Sequence, residues 1–364
     1  MITVMKYIDE FRDPAIIRRL AEAIRINSSA DYAFMEVCGG HTSAIHRFGI
    51  PSLLPENIRL LSGPGCPVCV TATEFIDKAV SLSLEPGLII TTFGDLLRVP
   101  GSESSLEKCR SAGADIRIVF SPLDALSIAV SNSSKKVVFL GVGFETTAPG
   151  TAVAIKKAAE AGIVNFMVLC AHKIMPPAME AIIRDGTRIN GFICPGHVAT
   201  IAGSRIFRFI PERYGLGCVV SGFEPADILQ SILMLVKQVN NNNPAVETEY
   251  RRVVNENGNE TALRNMSDVF ELVDSWWRGL GTIPASGFRI KKEFRDFDAG
   301  EVFSFSLGAK DENPFCICGD VLRGMATPEE CLLFGKVCNP DNPVGACLVS
   351  GEGSCNSHFK YHPL

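Results

Sequence analysis

Residues 32–42 read Tyr32-Ala33-Phe34-Met35-Glu36-Val37-Cys38-Gly39-Gly40-His41-Thr42, where a short apolar run passes directly into a cysteine, two glycines and a histidine. The apolar run has the length and composition of a buried strand. Ligands of α/β proteins bind in loops beyond the carboxyl ends of strands, and the two glycines let the backbone turn sharply. The pattern therefore predicts an accessible, functional Cys38, with His41 able to accept the thiol proton or bind a metal. His46 is predicted to be a surface residue.

Similar short apolar strands alternate with helical segments along most of the chain. Predicted strands lie at 32–37, 58–61, 87–92, 116–120, 137–141, 166–170, 191–194 and 218–221, and predicted helices at 9–26, 73–84, 104–112, 123–131, 150–161, 177–184 and 225–239. This alternation is typical of parallel α/β sheets. We therefore predict an α/β fold with two parallel-sheet domains and a cleft between them, the second sheet starting near Lys135.

The length of 364 residues exceeds what one compact core normally holds. We expect a first α/β domain over residues 1–134, with the Cys38 and Cys66/Cys69 loops, and a second over 135–243. The polar run Asn240-Asn241-Asn242-Asn243-Pro244 resembles a linker. Beyond it we expect a C-terminal region over 244–364, with a tryptophan-containing helix near 267–278 and a cysteine-rich iron–sulfur segment over 312–364.

The overall composition excludes several classes of protein. Hydrophobic residues make up 46% and charged residues 21%, as in ordinary globular proteins. A net charge of −5 gives no electrostatic reason to bind nucleic acid or an acidic membrane surface. The amino terminus lacks the apolar run of a secretory leader, and the apolar segments are too short to span a bilayer. We therefore expect a cytoplasmic protein.

Thirteen cysteines are unusual for such a protein, and six of them fall within the last 49 residues, at positions 316, 318, 331, 338, 347 and 355. Four thiolates can hold a [4Fe–4S] cluster or a tetrahedral zinc ion. Structural zinc prefers two closely spaced C-x2-4-C pairs, whereas the tail from Cys318 onward reads C-x12-C-x6-C-x8-C-x7-C. The wide, glycine-interrupted spacing gives iron–sulfur a modest lead over zinc. Six buried free cysteines in one short segment would be unusual.

A second thiol motif is the C-x2-C pair in Gly63-Pro64-Gly65-Cys66-Pro67-Val68-Cys69, which follows a predicted strand. Such a pair at the start of a helix can have lowered thiol pKa values and can cycle between dithiol and disulfide. It could also be half of a zinc site, but no matching pair lies at a suitable distance. Redox exchange is the preferred interpretation.

Polar residues also follow other predicted strands, so we expect them to converge on one cleft with Thr42. The loop Gly143-Phe144-Glu145-Thr146-Thr147-Ala148-Pro149-Gly150 suits anion or substrate binding but lacks the ending of a nucleotide P-loop. The loops Thr91-Thr92-Phe93-Gly94-Asp95 and Cys194-Pro195-Gly196-His197 end strands in the same manner. Any one of these polar residues could instead be a simple helix cap. Cys109, Cys170 and Cys218 are interpreted as core residues.

These motifs together resemble the HypD family of hydrogenase maturation factors. The resemblance runs over essentially the whole chain and rests on Cys38-Gly39-Gly40-His41-Thr42, the motif from Gly63 to Cys69, Gly143-Phe144-Glu145-Thr146-Thr147-Ala148-Pro149, Cys194-Pro195-Gly196-His197 and the cysteine tail. The tail departs from the family pattern at Gly351 and within Asn356-Ser357-His358-Phe359, where small and aromatic residues are more usual.

The resemblance implies a role in assembling the Fe(CN)2CO group of [NiFe]-hydrogenase. The protein would hold iron together with a small HypC-like chaperone, receive cyanide from a HypE-like partner, and serve the hydrogenase large-subunit precursor indirectly. Cys38 would be the iron-binding thiolate, with His41 beside it. Cys66 and Cys69 would form a redox-active dithiol. The family's [4Fe–4S] cluster would be held by Cys331, Cys338, Cys355 and either Cys316 or Cys318, with Cys347 spare.

Two other functions remain open from the sequence. One is an iron–sulfur-dependent thiol–disulfide reductase that acts on protein substrates through the same C-x2-C pair. The other is a non-catalytic zinc protein that serves only as an interaction module. A cysteine–histidine protease is disfavoured because His172 and His197 have no oxyanion-hole sequence near them.

Overall fold

A computed structural model describes residues 6, 8–186, 188–305 and 313–362. Its first long element is helix α1 (Pro14–Asn27), which the apolar spacing predicted. Asp13 caps this helix by accepting a hydrogen bond from the Ala15 amide at 2.7 Å, and Pro14 occupies the first helical position, where its missing N–H costs nothing.

Up to residue 240 strands and helices alternate and the strands lie where the sequence predicted them, but the structure adds three helices that the sequence analysis missed, Gly39–Arg47, Gly196–Ala202 and Phe209–Tyr214. The strands are β1 (Tyr32–Glu36), β2 (Ile58–Ser62), β3 (Leu88–Thr92), β4 (Ile116–Ile118), β5 (Lys136–Gly143), β6 (Phe166–His172), β7 (Gly191–Pro195), β8 (Gly217–Ser221), β9 (Val246–Thr248), β10 (Phe270–Trp277) and β11 (Gly281–Ile290). The helices after α1 are α2 (Gly39–Arg47), α3 (Thr73–Ser83), α4 (Leu106–Ser111), α5 (Pro122–Ser131), α6 (Ala148–Glu160), α7 (Met175–Arg184), α8 (Gly196–Ala202), α9 (Phe209–Tyr214), α10 (Pro225–Asn240), α11 (Glu260–Val269), α12 (Ala299–Val302), α13 (Cys318–Leu322), α14 (Ala346–Val349) and α15 (Ser354–Tyr361).

Two parallel sheets form the body of the protein, which confirms the predicted fold class. Sheet A has the strand order β2-β1-β7-β8-β9, and sheet B has the order β4-β3-β5-β6. Strands β1, β3, β7 and β8 are buried along their whole length. They are apolar on both faces because helices cover both sides of a parallel sheet.

The prediction that the second sheet starts near Lys135 is wrong. Strand β5 pairs with β3, in the register Leu88↔Lys136, so sheet B begins with β3 and not with β5. Strand β7 returns to the side of β1, where Phe34 is opposite Gly191. The ranges 1–134 and 135–243 therefore do not each contain one sheet, because sheet B is inserted between the second and third strands of sheet A.

Both sheets are wound in the same way, and this winding locates the site. In sheet A the chain steps from β1 outward to β2 and later continues on the other side of β1, with β7 and β8. Sheet B repeats the pattern with β3 and β4 on one side and β5 and β6 on the other. At such a switch point the loops leave in opposite directions and open a crevice at the carboxyl ends of the strands. In sheet A that crevice lies between β1 and β7.

The tryptophan-containing helix predicted near 267–278 is a second error. Helix α11 ends at Val269, and the two tryptophans lie on β10, which pairs antiparallel with β11. Strand β10 is rich in aromatic and β-branched residues, which suit a pleated surface better than a helix. Trp277 is fully buried and donates its indole N–H to the Ser286 hydroxyl at 2.8 Å, whereas Trp276 is exposed.

The asparagine run is a turn inside sheet A and not a linker between domains. Asn240 is the last residue of α10, and Asn242 has a positive φ of 47°, a conformation that asparagine tolerates better than most residues. The chain then enters β9, which pairs with β8.

The C-terminal region crosses back over sheet A. Its described residues, 313–362, form short helices joined by tight turns, and the last of these, α15, packs against α2. Residue 312, the first of the predicted cysteine-rich segment, lies outside the described residues. Among the described helices, none has the length and apolar character needed to cross a lipid bilayer.

Candidate functional site

Cys38 lies at the switch point of sheet A, between the end of β1 and the first turn of α2. It is the N-cap residue of α2, with extended backbone angles, and the amides of Gly40 and His41 face its sulfur. Its thiol is free but largely buried, with 9% of the residue exposed. The prediction that the Cys38 thiol is accessible is therefore wrong, because other loops pack over it.

The electrostatic environment of Cys38 opposes the free thiolate. Burial, followed by the charges of Glu352 and Glu36, raises the pKa of the Cys38 thiol to about 12, although the amides of Gly40 and His41 act in the opposite direction. A thiol in this setting is protonated at neutral pH. A metal cation that binds the sulfur must replace that proton, and the same two carboxylates would then favour the cation.

Glu36 organises the loop that carries Cys38. It is 2% exposed, accepts the Cys38 amide at 3.0 Å and accepts the Thr42 hydroxyl at 2.5 Å. Burial raises the pKa of Glu36 to about 7 despite these hydrogen bonds. The sequence analysis singled out Thr42 but missed Glu36. A charged residue at the end of an apolar strand was the signal that could have identified it, because buried carboxylates are rarely placed without a partner.

The loop that carries Cys66 and Cys69 lies directly against the Cys38 loop. The Gly39 amide donates to the Gly65 carbonyl at 3.0 Å, and a Cβ added to Gly65 would come within 2.2 Å of the Cys38 amide nitrogen. Cys66 and Cys69 are joined as a disulfide with their Cα atoms 5.2 Å apart. The two residues are only 3% and 1% exposed. Glycine at position 65 is thus what allows the two thiol-bearing loops to touch.

His41 is fully buried and is held in its neutral form. Burial lowers the pKa of its imidazole to about 4. Its Nε2 atom lies 2.9 Å from the Gly222 carbonyl oxygen and so carries the proton that this bond requires. Its Nδ1 atom has no hydrogen-bond partner among the described residues. His41 therefore has one buried lone pair available to a ligand or a proton.

Phe223 connects His41 to the surface, and the sequence analysis missed it. Its ring stacks on His41 with a centroid separation of 4.5 Å and on His197 with a separation of 3.9 Å. His197 is on the exposed side of this three-ring stack. His41 follows β1, His197 follows β7 and Phe223 follows β8. The three rings meet because the carboxyl ends of these strands lie at one edge of the sheet. Residues that directly follow a predicted strand, as Gly222 and Phe223 do, were the available signal.

The other residues predicted for the cleft lie at the corresponding edge of sheet B. Glu145 is buried, accepts the Met175 amide at 3.0 Å, and its pKa is raised to about 7 by burial. Thr146 is exposed. Thr147 is the N-cap of α6 and donates its hydroxyl to the Phe144 carbonyl at 3.3 Å. These three residues therefore lie at the edge of sheet B, whereas Thr42 and His197 lie at the edge of sheet A.

The tail places all six of its cysteines around one small cavity, which is lined by Cys316, Cys318, Cys331, Cys338, Cys347 and Cys355 together with Val321, Leu333 and Phe334. The Cys347 and Cys355 sulfurs are 3.1 Å apart. Burial, followed by the proximity of Cys318, Cys331 and Cys338, raises the pKa of the Cys316 thiol to about 12. So many thiols in one cavity cannot ionise together unless a cation compensates their charge. A group of thiolates around one cavity is a donor set that suits a metal.

The six tail sulfurs are spread around this cavity. In the part of the chain that the structure describes, the tail cysteines form no group of three whose sulfurs all lie within 4.8 Å of one another. Four thiolates on one tetrahedral zinc ion lie about 3.8 Å apart. The thiolates of a [4Fe–4S] cluster are farther apart, because each binds a different iron.

Glu352 links the cysteine tail to Cys38. A Cβ added to Gly39 would come within 2.3 Å of the Glu352 Cβ, so the turn between α14 and α15 rests on the start of α2. Desolvation raises the pKa of the Glu352 carboxyl, and the charge of Asp95 raises it further. The loop after β3 therefore also reaches this place.

Three core predictions and one surface prediction can be compared with the structure directly. Cys109 and Cys218 are buried in α4 and β8, as predicted, and Cys170 is partly buried on β6. His46 is partly buried and not a surface residue, because α15 covers it.

The chain is similar to known proteins over nearly its full length. The family model "HypD: Hydrogenase formation hypA family" matches residues 15–362. Hydrogenase maturation factor HypD2 of Bradyrhizobium diazoefficiens is 47% identical over 368 residues, covering 98% of this chain and 97% of that protein. Hydrogenase maturation factor HypD of Azotobacter vinelandii is 47% identical over 369 residues, with 98% and 97% covered. The HypD of Escherichia coli is 42% identical over 366 residues, with 98% of both chains covered. The chain therefore belongs to the HypD family of hydrogenase formation proteins.

Proposed function

We propose that this protein acts in the maturation of [NiFe]-hydrogenase, in the cytoplasm, as the scaffold that holds iron while the Fe(CN)2CO group is assembled. A small HypC-like chaperone would share the iron, a HypE-like partner would supply cyanide, and the hydrogenase large-subunit precursor would receive the product. Full-length similarity to proteins named hydrogenase maturation factors supports this role.

The observation that carries the proposal is the environment of Cys38. Its sulfur lies at the switch point of sheet A, at the start of α2, where the charges of Glu36 and Glu352 act on it. A soft thiolate suits an iron ion that also binds cyanide and carbon monoxide. Because the free thiolate is disfavoured there, iron binding is coupled to release of the thiol proton. His41, three residues further along, would stay neutral and offer the unpartnered Nδ1 lone pair to a hydrogen bond from the bound group.

The tail cysteines fit a resident [4Fe–4S] cluster, by their number and by their position around one cavity. Cys331, Cys338, Cys355 and either Cys316 or Cys318 would hold it, with Cys347 spare. Such a cluster supplies or accepts one electron at a time. The Cys38 thiol and the tail are joined mechanically through the contact between Gly39 and Glu352.

Cys66 and Cys69 would serve as the two-electron store next to the iron. Reduction of their disulfide takes up two electrons and two protons and gives two thiols. The Gly65–Cys38 contact places this loop against the proposed iron ligand. The same burial argues against the alternative of a reductase for protein disulfides, because a bulky substrate cannot reach sulfurs that are at most 3% exposed.

The test uses the full chain, purified anaerobically in complex with its chaperone partner. Metal-bound cyanide and carbon monoxide absorb in an infrared region where protein is silent, so both can be read directly. We expect Cys38→Ala to abolish these bands and the associated iron while the visible absorption of the tail cluster persists. Cys109→Ala removes another buried thiol, on helix α4, and should change neither signal.

Two results would contradict the proposal. Retention of the cyanide and carbonyl bands by Cys38→Ala would remove Cys38 from the role of iron ligand. A colourless, zinc-containing protein after anaerobic purification would instead favour the interaction-module alternative, because thiolate-to-iron charge transfer makes an iron–sulfur protein brown.

A further inference from the structure

Three histidines outside the thiol site come together where α15 packs on α2. His46 is in the last turn of α2, His358 is on α15, and His362 directly follows α15. One ring nitrogen from each lies within 4.8 Å of the other two. Histidines four residues apart project from the same face of a helix, and this spacing is one that proteins use to bind zinc.

The nitrogen positions agree with ligands of a single ion. His46 Nδ1 lies 2.8 Å from His362 Nε2, which is a hydrogen bond when no cation is present. Two nitrogens that bind one tetrahedral ion at 2.0–2.1 Å lie about 3.3 Å apart. A cation would therefore replace this hydrogen bond after a movement of about half an ångström, which side-chain rotation can supply.

The Glu329 carboxylate orients one of the three histidines, His358. Its Oε1 atom lies 2.5 Å from His358 Nδ1. A carboxylate that accepts the N–H of one imidazole nitrogen fixes the tautomer and directs the lone pair of the other nitrogen, the common arrangement around metal-bound histidines. It leaves Nε2 of His358 as the donor atom toward a cation.

The three rings line a cavity of about 220 Å³ that extends to Glu36 and Thr42. Water or a small anion in this cavity could complete the coordination of an ion. Three imidazoles select borderline divalent ions such as Zn²⁺, Co²⁺ and Ni²⁺, since Mg²⁺ and Ca²⁺ require oxygen ligands.

We propose that His46, His358 and His362 bind one divalent transition-metal ion of the zinc class. The ion would tie the C-terminal helix α15 to α2, the helix whose first turn carries Cys38. The site is separate from the tail cysteines in ligand chemistry, and the proposal does not depend on the maturation role.

The test titrates Co²⁺ into the full chain after anaerobic purification with its tail cluster in place. We expect uptake of one equivalent with the ligand-field bands of nitrogen- and oxygen-bound Co²⁺ and without sulfur-to-cobalt charge transfer. Zn²⁺ should compete for the same equivalent and raise the melting temperature, because it binds only the folded state. His358→Gln and His362→Gln should each lower the affinity at least tenfold, whereas Lys360→Gln on the same helix should not.

A second pair of variants keeps the test decisive if a change on α15 disturbs folding. His46→Gln removes a ligand from the other helix and should give the same loss, and Glu329→Gln should weaken binding less than loss of a ligand. Equal Co²⁺ uptake by the His358→Gln/His362→Gln double variant, or a spectrum dominated by sulfur charge transfer, would overturn the site.

Discussion

Gly65 lies against the backbone of Cys38 so closely that a Cβ at position 65 would be 2.2 Å from the Cys38 nitrogen and 2.4 Å from its Cα. Real Cβ atoms do not approach backbone atoms this closely, so any side chain at this position must push the two thiol loops apart.

Gly65→Ala is therefore expected to separate the Cys66/Cys69 loop from Cys38. Overpacking of this kind costs about 1–3 kcal/mol of unfolding free energy, and the variant should lose iron from the chaperone complex. Urea denaturation and iron analysis measure the two effects. Gly150→Ala is the control, because its Cβ would meet Pro122 at an ordinary 3.7 Å and should change stability by less than about 1 kcal/mol. Full iron retention by Gly65→Ala would show that the loop contact is dispensable.

The cysteine tail predicts a specific pattern of cluster loss. Serine at position 331, 338 or 355 should remove most of the visible absorption of the anaerobic protein. Of the single variants Cys316→Ser and Cys318→Ser, one should lose this absorption and the other should keep it, because only one of the two cysteines is expected to bind the cluster. Cys347→Ser should keep the cluster, although its sulfur is 3.1 Å from that of Cys355. If Cys347→Ser lost the colour and Cys355→Ser kept it, Cys347 would be the cluster ligand and Cys355 the spare cysteine.

Burial of Glu145 predicts a pH-dependent contribution to stability. Its pKa rises from 4.5 to about 7 on folding, so the folded carboxyl keeps a proton that the unfolded chain has lost. The stability from this group is complete below pH 4.5 and is lost as the pH rises through 7. Glu145→Gln has no such loss. Its unfolding free energy relative to the parent should therefore rise by up to about 3 kcal/mol between about pH 5 and about pH 8.

Denaturant unfolding of both proteins across this pH range provides the measurement. Histidines that titrate in the same range, such as His172, are present in both proteins and cancel in the difference. A relative stability that stays constant with pH would mean that Glu145 is charged in the folded protein.

A buried ion pair next to the site should respond very differently from an exposed one. The side chain of Asp227 is fully buried and receives two hydrogen bonds from Arg252, at 2.9 and 2.6 Å. Arg252→Met leaves that carboxylate uncompensated and should cost about 3–5 kcal/mol. Arg289→Met removes the exposed partner of Glu271 and should cost less than about 1 kcal/mol. Comparable losses of unfolding free energy in the two variants would contradict the view that Asp227 is a buried charge that depends on Arg252.

The sequence predicted the local elements well because strand length and apolar periodicity are local properties. Strands β1 to β8 and the thiol motifs at their ends lie where the residues indicated. The pairing of β7 with β1 could not be read locally, since it joins residues about 160 positions apart. For the same reason the sequence did not show that sheet B is an insertion in sheet A.

The candidate site was predictable only in part, because some of its residues meet through contacts between distant parts of the chain. Cys38 and His41 follow a strand, and that position marks them. Glu352 reaches Gly39 through a turn of the distant tail, and His358 and His362 meet His46 only after α15 has packed on α2. Such contacts depend on tertiary packing, which a single sequence does not display.

The insertion of sheet B into sheet A sets an order for folding during synthesis. All four strands of sheet B have been synthesised by residue 172, whereas β1 must wait for β7 before its second edge is covered. Domains fold as units while the chain emerges. The hydrogen bond from His41 to Gly222 forms later still. The tail turn at Glu352, which rests on Gly39, is made later again. The pocket around Cys38 is therefore completed only near the end of translation, so that the proposed loading of iron would follow synthesis of nearly the whole chain.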